Sequence, residues 1–377
     1  MPEYHWLIIG GGPHGRFIAA SILARAPGTS LAIVDPEPPM AAWQARAAAC
    51  GMQYLRSSNA HHLGARADSL RRFAAAHGYD DVHALGYYRR PSLALFNAHA
   101  EAELGQPHQL HAGAVEIVAN DAGHGWRVRL DDGRICDAAR VVVATGPGQP
   151  FRPAGLTAAA HVFDADFELG APGTATAIVG GGITGAQLAL RAAHEGHRVY
   201  WVSRDQPRAT DFDSDPCYAG PRCLAPFVRE PLAERSRLLV EARQPGTLPP
   251  DIYSAITAAL AGGELAWRRG DAVQRTDAGL RLADGRELAV DQVILATGFA
   301  HRPAADSLLG RVIAELGLAT DGAGHIDVND ILEAAPGLHI AGRSASFQLG
   351  PMAGNIKGAR LAGRCLAALA ADERTAA

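Results

Sequence analysis

The feature that most constrains this chain is a glycine-rich hexapeptide that occurs twice. Residues 10–15 read G-G-G-P-H-G, and residues 180–185 read G-G-G-I-T-G. Each hexapeptide follows a short apolar run and precedes a stretch of helical character, which predicts a strand, a tight turn and a helix. In that context a G-x-G-x-x-G turn lets the backbone approach a pyrophosphate at a helix N-terminus. The sequence therefore predicts two dinucleotide-binding folds.

The two folds are predicted to have the same order of elements. Strand, helix and strand are expected at residues 7–9, 16–25 and 31–34, and again at 175–179, 183–194 and 199–202. Each unit is followed by a hairpin and a buried strand, predicted at 126–130, 134–139 and 141–144, and later at 280–282, 287–290 and 293–296. Asp-Gly pairs mark both hairpin turns. The predicted fold class is α/β, with two Rossmann-like domains.

Proline-containing segments follow the Thr-Gly pairs after both buried strands, and we expect the chain to cross between domains there. These segments are residues 148–153 and 300–303. The second domain is then an insertion in the first. The predicted division assigns residues 1–165 to the first part of the first domain, 166–299 to the second domain and 300–377 to the C-terminal part of the first.

The residue at the end of the strand after each turn predicts which dinucleotide binds. Asp35 lies 20 residues past Gly15 and suits a ribose hydroxyl. Ser203 and Arg204 occupy the equivalent place in the second fold. A carboxylate there would repel a 2′-phosphate, whereas a guanidinium can bind it, which favours NADPH over NADH. The alternative is a solvated surface arginine in an arginine-rich chain.

Two such folds in one chain resemble the two-dinucleotide-binding flavoprotein superfamily. The paired strand-Ala-Thr-Gly segments at residues 141–146 and 293–298 are similar to that superfamily's hinge motifs. The resemblance implies FAD at the first turn and NADPH at the second, and it spans nearly the whole chain.

A narrower resemblance is to the class B flavin monooxygenases, in particular the N-hydroxylating type that acts on lysine or ornithine. Residues 291–299, D-Q-V-I-L-A-T-G-F, resemble the D-x3-L-A-T-G-[YF] signature of that family and are followed by Pro303. Trp43 followed by Met52-Gln53 is a second match. The family has a lysine near this point, where this chain has Arg56 and Ser57, and its C-terminal pattern is absent.

The resemblance implies a set of site residues. Gln53 and Asn355 are expected at the flavin ring or substrate. The expected FAD contacts are Gly10, Gly12, Pro13, His14, Gly15, Asp35, Gln53, Arg56, Thr145, Gly146, Gly342, Leu349 and Pro351. The expected NADPH contacts are Gly180, Gly182, Ile183, Thr184, Gly185, Ser203, Arg204, Thr297 and Gly298.

Several segments allow two interpretations. Leu349-Gly350-Pro351 predicts the start of a helix that points at the flavin, with Asn355 either at the ring or simply on the surface. Residues 211–215, D-F-D-S-D, either shape the substrate entrance or form a solvated loop. His161 stands at a degenerate Baeyer–Villiger-type spacing and is interpreted as a loop residue. Residues 232–243 predict an exposed amphipathic helix.

Charge and cysteine content exclude other classes of function. A net charge of −4 and a pI near 6.5 give no general attraction to nucleic acid or to anionic membranes. The five cysteines include no C-x-x-C pair and no zinc-type spacing, so neither a dithiol active site nor a metal site is expected. The N-terminus carries no signal-like segment, which predicts a cytoplasmic protein.

These observations predict an NADPH-dependent FAD monooxygenase. We expect it to oxygenate a nucleophilic nitrogen or sulfur of a small molecule with molecular oxygen, through a C4a-(hydro)peroxyflavin. One alternative is an FAD-dependent NADPH oxidoreductase of the same fold without oxygen insertion, because fold does not fix function. Another is a non-catalytic flavin redox sensor. The sequence leaves the substrate and the oligomeric state open.

Overall fold

Two parallel sheets organise the chain in a computed structural model that describes residues 2–120 and 125–376. The strands are β1 (Tyr4–Ile9), β2 (Leu31–Val34), β3 (Ala84–Leu85), β4 (Arg90–Pro91), β5 (His108–Leu110), β6 (Ala114–Ala119), β7 (Trp126–Leu130), β8 (Ile135–Val143), β9 (Ala160–His161), β10 (Ala175–Val179), β11 (Arg198–Ser203), β12 (Arg208–Ala209), β13 (Thr247–Leu248), β14 (Leu265–Arg269), β15 (Ala272–Thr276), β16 (Gly279–Leu282), β17 (Glu287–Ala289), β18 (Gln292–Leu295), β19 (Glu333–Ala335) and β20 (Leu338–Ile340).

Helices cover both sheets. The α-helices are α1 (Pro13–Arg25), α2 (Ala41–Cys50), α3 (Ser69–Ala76), α4 (Leu93–Leu104), α5 (Ile183–His194), α6 (Pro221–Phe227), α7 (Leu232–Ala242), α8 (Pro250–Ala261), α9 (Leu308–Leu316), α10 (Ser346–Leu349) and α11 (Ile356–Ala376). Short 3₁₀ helices occupy Asp81–His83, Ala154–Leu156, Pro216–Ala219 and Gly342–Ala345. No helix of the described residues is long and apolar enough to cross a membrane.

The first sheet has the strand order β19-β20-β8-β1-β2-β5, and β7 and β6 extend it from β8. The strands from β20 to β5 run parallel. All four residues of β2 are buried, as expected for a parallel strand covered on both faces. Helices α1 and α11 pack so closely that a Cβ on Gly363 of α11 would lie 2.6 Å from the Phe17 ring of α1. Glycine at position 363 permits this approach.

The second sheet has the order β14-β11-β10-β18-β9, and all its strands are parallel. Helices α5 and α8 bury apolar side chains such as Leu188 and Ile256 against one face. The antiparallel strands β15, β16 and β17 cover the other face through Leu280 and Leu282. The predicted fold class, two Rossmann-like α/β units, is confirmed.

The two chain crossings between the sheets lie side by side. Phe151 N donates to Gly298 O at 2.9 Å, and Ala300 N donates to Gln149 O at 2.9 Å. Strand β9 at residues 160–161 already pairs with β18 in the second sheet. The second sheet therefore includes a strand that precedes residue 166, the predicted start of the second domain. The chain enters the second sheet soon after the crossing.

The helix predicted to start at Leu349-Gly350-Pro351 forms, but it starts several residues later. Helix α10 ends there because Gly350 adopts φ +74°, a left-handed conformation that favours glycine. Turns closed by Ala353 N to Gly350 O and Asn355 N to Met352 O follow, so α11 starts only at Ile356. Pro351 therefore lies in a turn, and Asn355 immediately precedes the helix.

Two further expectations need adjustment. His161 is completely buried on β9 rather than placed in a loop, and burial lowers its pKa to about 4. The predicted amphipathic helix at 232–243 is α7, but Leu239 is only 3% exposed and packs with Phe347. Its apolar face is therefore covered by the C-terminal part of the chain.

Candidate functional site

The carboxyl ends of four parallel strands in the first sheet bring predicted FAD contacts to one edge. Gly10 follows β1, Asp35 follows β2, Thr145 and Gly146 follow β8 with one residue between, and Gly342 follows β20. Ligands of open α/β sheets bind at this edge. The structure thus assembles residues that are more than 300 positions apart in sequence.

The first glycine turn has the geometry that a close pyrophosphate requires. Gly10 has φ +116°, and a Cβ there would collide with the carbonyl of Ala144. A Cβ on Gly15 would collide with the Gly10 carbonyl, so helix and strand pack closely. A Cβ on Gly12 would meet no atom within 4 Å. The turn is therefore tight behind and open in front, at the N-terminus of α1.

Asp35 is fixed by the turn itself. Its Oδ2 accepts a hydrogen bond from Gly11 N at 2.5 Å, and its Oδ1 accepts one from Glu37 N at 2.9 Å. Each carboxylate oxygen can accept a further hydrogen bond. The carboxylate is held next to the glycine turn, where a ribose would have to lie, and its role as a ribose ligand remains a prediction.

The second glycine turn repeats the first almost atom for atom. Gly180 has φ +144° and abuts the carbonyl of Ala296, the counterpart of Ala144. Gly185 abuts the Gly180 carbonyl, and Gly182 again opens on free space. The predicted neighbours Ile183 and Thr184 form the first turn of α5. Each Ala-Thr-Gly segment thus closes the back of one glycine turn.

The two turns differ at the end of the next strand. Ser203 is buried, donates to Asp205 O at 2.8 Å and accepts from Trp267 Nε1 at 2.9 Å, so its hydroxyl is already used within the protein. Arg204 is exposed, and the Nε of Arg269 donates to its backbone carbonyl at 3.2 Å.

A second arginine lies beyond this strand end. The Nη2 of Arg208 donates to Pro245 O at 3.5 Å, and Arg208 is exposed like Arg204. Arg269, which pairs with Ser203 from the neighbouring strand β14, is a third exposed arginine. Exposed arginines therefore stand at or just beyond this strand end, where the first fold has Asp35.

Arg56, predicted as a flavin contact, holds the second domain. Its guanidinium donates to the carbonyls of Thr210, Asp211 and Thr247 at 2.9–3.2 Å and to Thr247 Oγ1 at 2.9 Å. Four of its five N–H groups are thus engaged by the protein. Gln53 is exposed nearby, with its carbonyl accepting from Leu93 N at 2.7 Å.

A buried ion pair makes a second tie between the domains. Arg90 is 5% exposed and donates to Asp251 Oδ1 at 2.5 Å, while its Nε donates to Leu55 O at 2.7 Å. Asp251 lies in the first turn of α8, where a carboxylate also interacts favourably with the helix dipole. This tie was missed from sequence, since nothing local marks Arg90 or Asp251 among the many charged residues.

Residues 210–223, called the entrance segment here after one of the two roles predicted for residues 211–215, pack against the first domain. Asn355 Nδ2 donates to Asp213 Oδ1 at 3.2 Å, and the rings of Phe212 and Tyr88 lie 4.7 Å apart. Ser214 is only 1% exposed. Of the two interpretations of the D-F-D-S-D stretch, a solvated loop does not fit these contacts. The predicted ring or substrate contact of Asn355 stays a prediction.

His14 lies at the start of α1 and connects the turn to the C-terminal segment. Its Nε2 donates to the Ala353 carbonyl at 3.0 Å, and burial lowers its pKa below the ordinary value. A neutral imidazole is therefore expected at neutral pH. The first glycine turn and the segment before α11 are held together by this contact.

Two of the five cysteines form a disulfide that the sequence reasoning missed. Cys217 and Cys223 are joined with their Cα atoms 5.5 Å apart, within the entrance segment. Their separation of six residues differs from the C-x-x-C spacing of dithiol active sites. Cys50, Cys136 and Cys365 are free.

Comparison with known proteins agrees with this geometry. Residues 7–148 match a family described as FAD-NAD(P)-binding. They form an FAD-NAD(P)-binding domain. This domain contains the first glycine turn, Asp35, Gln53 and the first Ala-Thr-Gly segment. No curated protein matches the sequence.

Solved structures with the same fold cover essentially the whole chain, well beyond the FAD-NAD(P)-binding domain. An ornithine N-hydroxylase from Kutzneria sp. 744, with reduced FAD, NADP⁺ and L-ornithine, is 17% identical, with 100% of both chains covered and a TM-score of 0.79. A flavin-containing monooxygenase from Stenotrophomonas maltophilia is 24% identical, with 99% of this chain and 100% of that chain covered and a TM-score of 0.64. A bacillithiol disulfide reductase from Bacillus cereus is 19% identical, with 98% and 99% covered and a TM-score of 0.64. The fold of FAD- and NADP-dependent oxidoreductases is thereby confirmed.

Proposed function

We propose that the chain is an NADPH-dependent FAD monooxygenase that oxygenates a nucleophilic nitrogen or sulfur of a small molecule. The observation that carries the proposal is the asymmetry of the two glycine turns. The first is paired with the carboxylate of Asp35, and the second with the exposed guanidinium of Arg204. One turn therefore suits an unphosphorylated ribose, and the other suits a 2′-phosphate.

The residues present fit both cofactors. The open faces of Gly12 and Gly182 leave room for pyrophosphate, and each faces the N-terminus of a long helix. Gly10 and Gly180 keep the turns tight against their sheets. When bound, the flavin accepts hydride from NADPH and activates oxygen, chemistry that belongs to the cofactor rather than to a side chain.

The remaining task of the protein is to orient the reactants and exclude water. Arg56, Arg90 and Asn355 hold the second domain against the first, beside Gln53. A crevice closed in this way limits the hydrolysis of reactive intermediates. The N-hydroxylase fold with the highest TM-score quoted above and the D-x3-L-A-T-G-F sequence favour oxygenation.

The second candidate is an NADPH oxidoreductase without oxygen insertion. It is favoured by one specific observation, the partly exposed Cys217–Cys223 disulfide in the entrance segment. A flavin-bound chain of this fold could pass electrons to an acceptor other than oxygen, because fold does not determine function. The third candidate, a sensor without turnover, would show no steady consumption of NADPH in air.

The decisive experiment follows oxygen into product. The purified holoprotein is given NADPH and ¹⁸O₂ with panels of amines, amino acids and thioethers, and products are analysed by mass spectrometry. We expect one labelled oxygen atom per NADPH consumed for the correct substrate class. Substrate-stimulated NADPH oxidation without label in any product would overturn oxygenation and favour the oxidoreductase. A cytoplasmic location and a small-molecule substrate with oxygen as partners belong to the same proposal.

A further inference from the structure

The Cys217–Cys223 disulfide lies in the entrance segment. Cys217 belongs to the 3₁₀ helix Pro216–Ala219, and Cys223 belongs to α6. Both cysteines are partly exposed. A reductant can therefore reach the bond without unfolding the domain, which distinguishes it from a disulfide inside a core.

The disulfide fixes two side chains against the C-terminal part of the first domain. A Cβ on Gly350 would lie 2.9 Å from Leu224 Cδ1 and 3.8 Å from Tyr218 Cδ1. Tyr218 follows one cysteine and Leu224 follows the other. The cross-linked loop thus rests on Gly350, just before the turns that lead to Asn355.

The elements joined by the disulfide are too short to be stable alone. The 3₁₀ helix has four residues, and α6 has seven with Pro226 inside it. Helices of this length are marginal without tertiary or covalent support, and an internal proline removes a backbone hydrogen bond. Loss of the cross-link is therefore expected to loosen this loop before anything else.

The loop is continuous with the contacts that hold the entrance segment. Asp215 Oδ1 accepts from Cys217 N at 2.9 Å, and Asp215 N donates to Ala242 O at 2.9 Å. Two residues earlier, Asp213 accepts from Asn355. Increased mobility at Cys217 would therefore weaken the contact between Asp213 of the entrance segment and Asn355 of the first domain.

We propose that the Cys217–Cys223 pair is a thiol–disulfide exchange site, and that its reduction by a dithiol releases the entrance segment from Gly350. The role of the segment as an entrance rests on the proposed function; the exchange itself does not. Disulfides of cytoplasmic proteins are usually transient and redox-sensing, which agrees with the proposed location.

The exchange balances as a two-electron transfer. A thiolate of the donor dithiol attacks one sulfur of the pair, the Cys217–Cys223 bond breaks, and a mixed disulfide forms. The second donor thiol then displaces the remaining cysteine. The donor is oxidised to its disulfide. Cys217 and Cys223 are reduced to two thiols and take up the two protons that the donor thiols lose.

The test compares oxidised and reduced holoprotein under native conditions. After a reduced thioredoxin-type dithiol protein has acted, two more thiols, those of Cys217 and Cys223, should become available for alkylation than in the oxidised protein. With the reductant removed, trypsin should cleave after Arg222, inside the loop, at least about fivefold faster than in the oxidised protein. Hydrogen exchange of residues 211–223 should rise in parallel.

Two variants serve as controls. The Cys217→Ser, Cys223→Ser double variant should be cleaved rapidly at Arg222 with or without dithiol, and Cys365→Ser should respond like the wild type. If the double variant does not fold, the wild-type comparison alone decides. A bond that resists the dithiol until the protein is denatured, or equal cleavage in both states, would overturn the proposal. These readouts require no oxygenation, so their failure is separate from failure of the proposed function.

Discussion

At the scale of single residues, the two cofactor turns are built alike and differ in what stands beside them. A Cβ on Gly10 would collide with the carbonyl of Ala144, and a Cβ on Gly180 would collide with that of Ala296 in the same way. The first turn holds a carboxylate through Gly11 N, whereas the strand end beside the second offers arginine. The proposed specificity for the two nucleotides therefore rests on side chains rather than on the backbone.

Replacement of Arg204 tests the assignment of NADPH. Arg204→Ala should raise the KM for NADPH about tenfold or more, the effect of losing one charge-assisted hydrogen bond of about 1.5 kcal/mol, and should leave the KM for NADH nearly unchanged. Steady-state kinetics with both coenzymes measure this. Arg198→Ala, an exposed arginine at the opposite end of β11, is the matched control. An unchanged ratio of the two KM values would contradict the assignment.

The two open glycines provide reciprocal tests of the turns. Gly12→Val should give a folded but colourless protein, because a Cβ at this position meets no protein atom within 4 Å, whereas the proposed pyrophosphate would lie there. Gly182→Val should stay yellow and lose NADPH binding. Flavin absorbance, circular dichroism and coenzyme titration distinguish these outcomes. A yellow Gly12→Val protein would place the flavin elsewhere.

At the scale of elements, long-range contacts of charged side chains help to join the two domains. Arg90 reaches Asp251 at the start of α8, and Arg56 reaches the carbonyls around β12 and β13. The Arg90 guanidinium also donates to the Leu55 carbonyl, and the Arg56 guanidinium donates to three backbone carbonyls. Removal of either would leave buried acceptors without donors.

Arg90→Met should lower the free energy of unfolding by about 2–3 kcal/mol, because Asp251 would remain partly buried without its cation. Urea denaturation measures the loss, and a cycle with Asp251→Asn isolates the pairwise part. The neighbouring Arg89→Met removes an exposed pair with Asp81 and should cost under about 1 kcal/mol. Equal losses in the two variants would show that burial of the Arg90 pair contributes nothing.

Local patterns in the sequence predicted where helices and strands lie better than they predicted which of them are in contact. The strand at residues 175–179 and the helix at 183–194 have the predicted bounds, because apolar runs and glycine turns are local signals. Strand β8, however, joins the predicted hairpin arm at 134–139 and the buried strand that follows into one. The start of α11 was predicted too early. Proline is common at the start of helices, but here the left-handed Gly350 and the turns after it delay the helix.

The contacts across the crevice could not be predicted. Arg90 and Asp251 are 161 residues apart, and only the folded arrangement of two sheets brings them together. Arg56 was interpreted through a resemblance and proved to hold the second domain. The disulfide is visible in sequence only as two cysteines in an irregular stretch.

At the scale of the whole molecule, buried histidines connect stability to pH. His62, His99, His161 and His339 are completely buried, and burial lowers the pKa of each to about 4. Hydrogen bonds fit neutral rings; His339 Nδ1, for example, donates to Ile331 O at 2.9 Å. The folded state thus keeps these side chains uncharged where an unfolded chain would protonate them.

Stability should therefore fall as the solution is acidified from about pH 6.5 to about pH 4. Above that range both states are neutral and the full stability is present; within it only the unfolded state binds the protons. Each histidine contributes a slope of up to about 1.4 kcal/mol per pH unit. Urea denaturation at several pH values measures the slope, and His339→Gln should reduce it. A flat profile from pH 7 to 5 would contradict the burial argument.

The side-by-side crossings at residues 148–153 and 297–300 have a consequence for how such a molecule can change. The chain leaves the first sheet and returns to it through two neighbouring backbone segments joined by the Phe151–Gly298 and Gln149–Ala300 hydrogen bonds. Everything between them is a cassette whose two ends nearly meet. Because domain insertion is tolerated where chain ends lie close together, we predict that this unit can be replaced by another coenzyme-binding domain without changing the strand order of the first sheet.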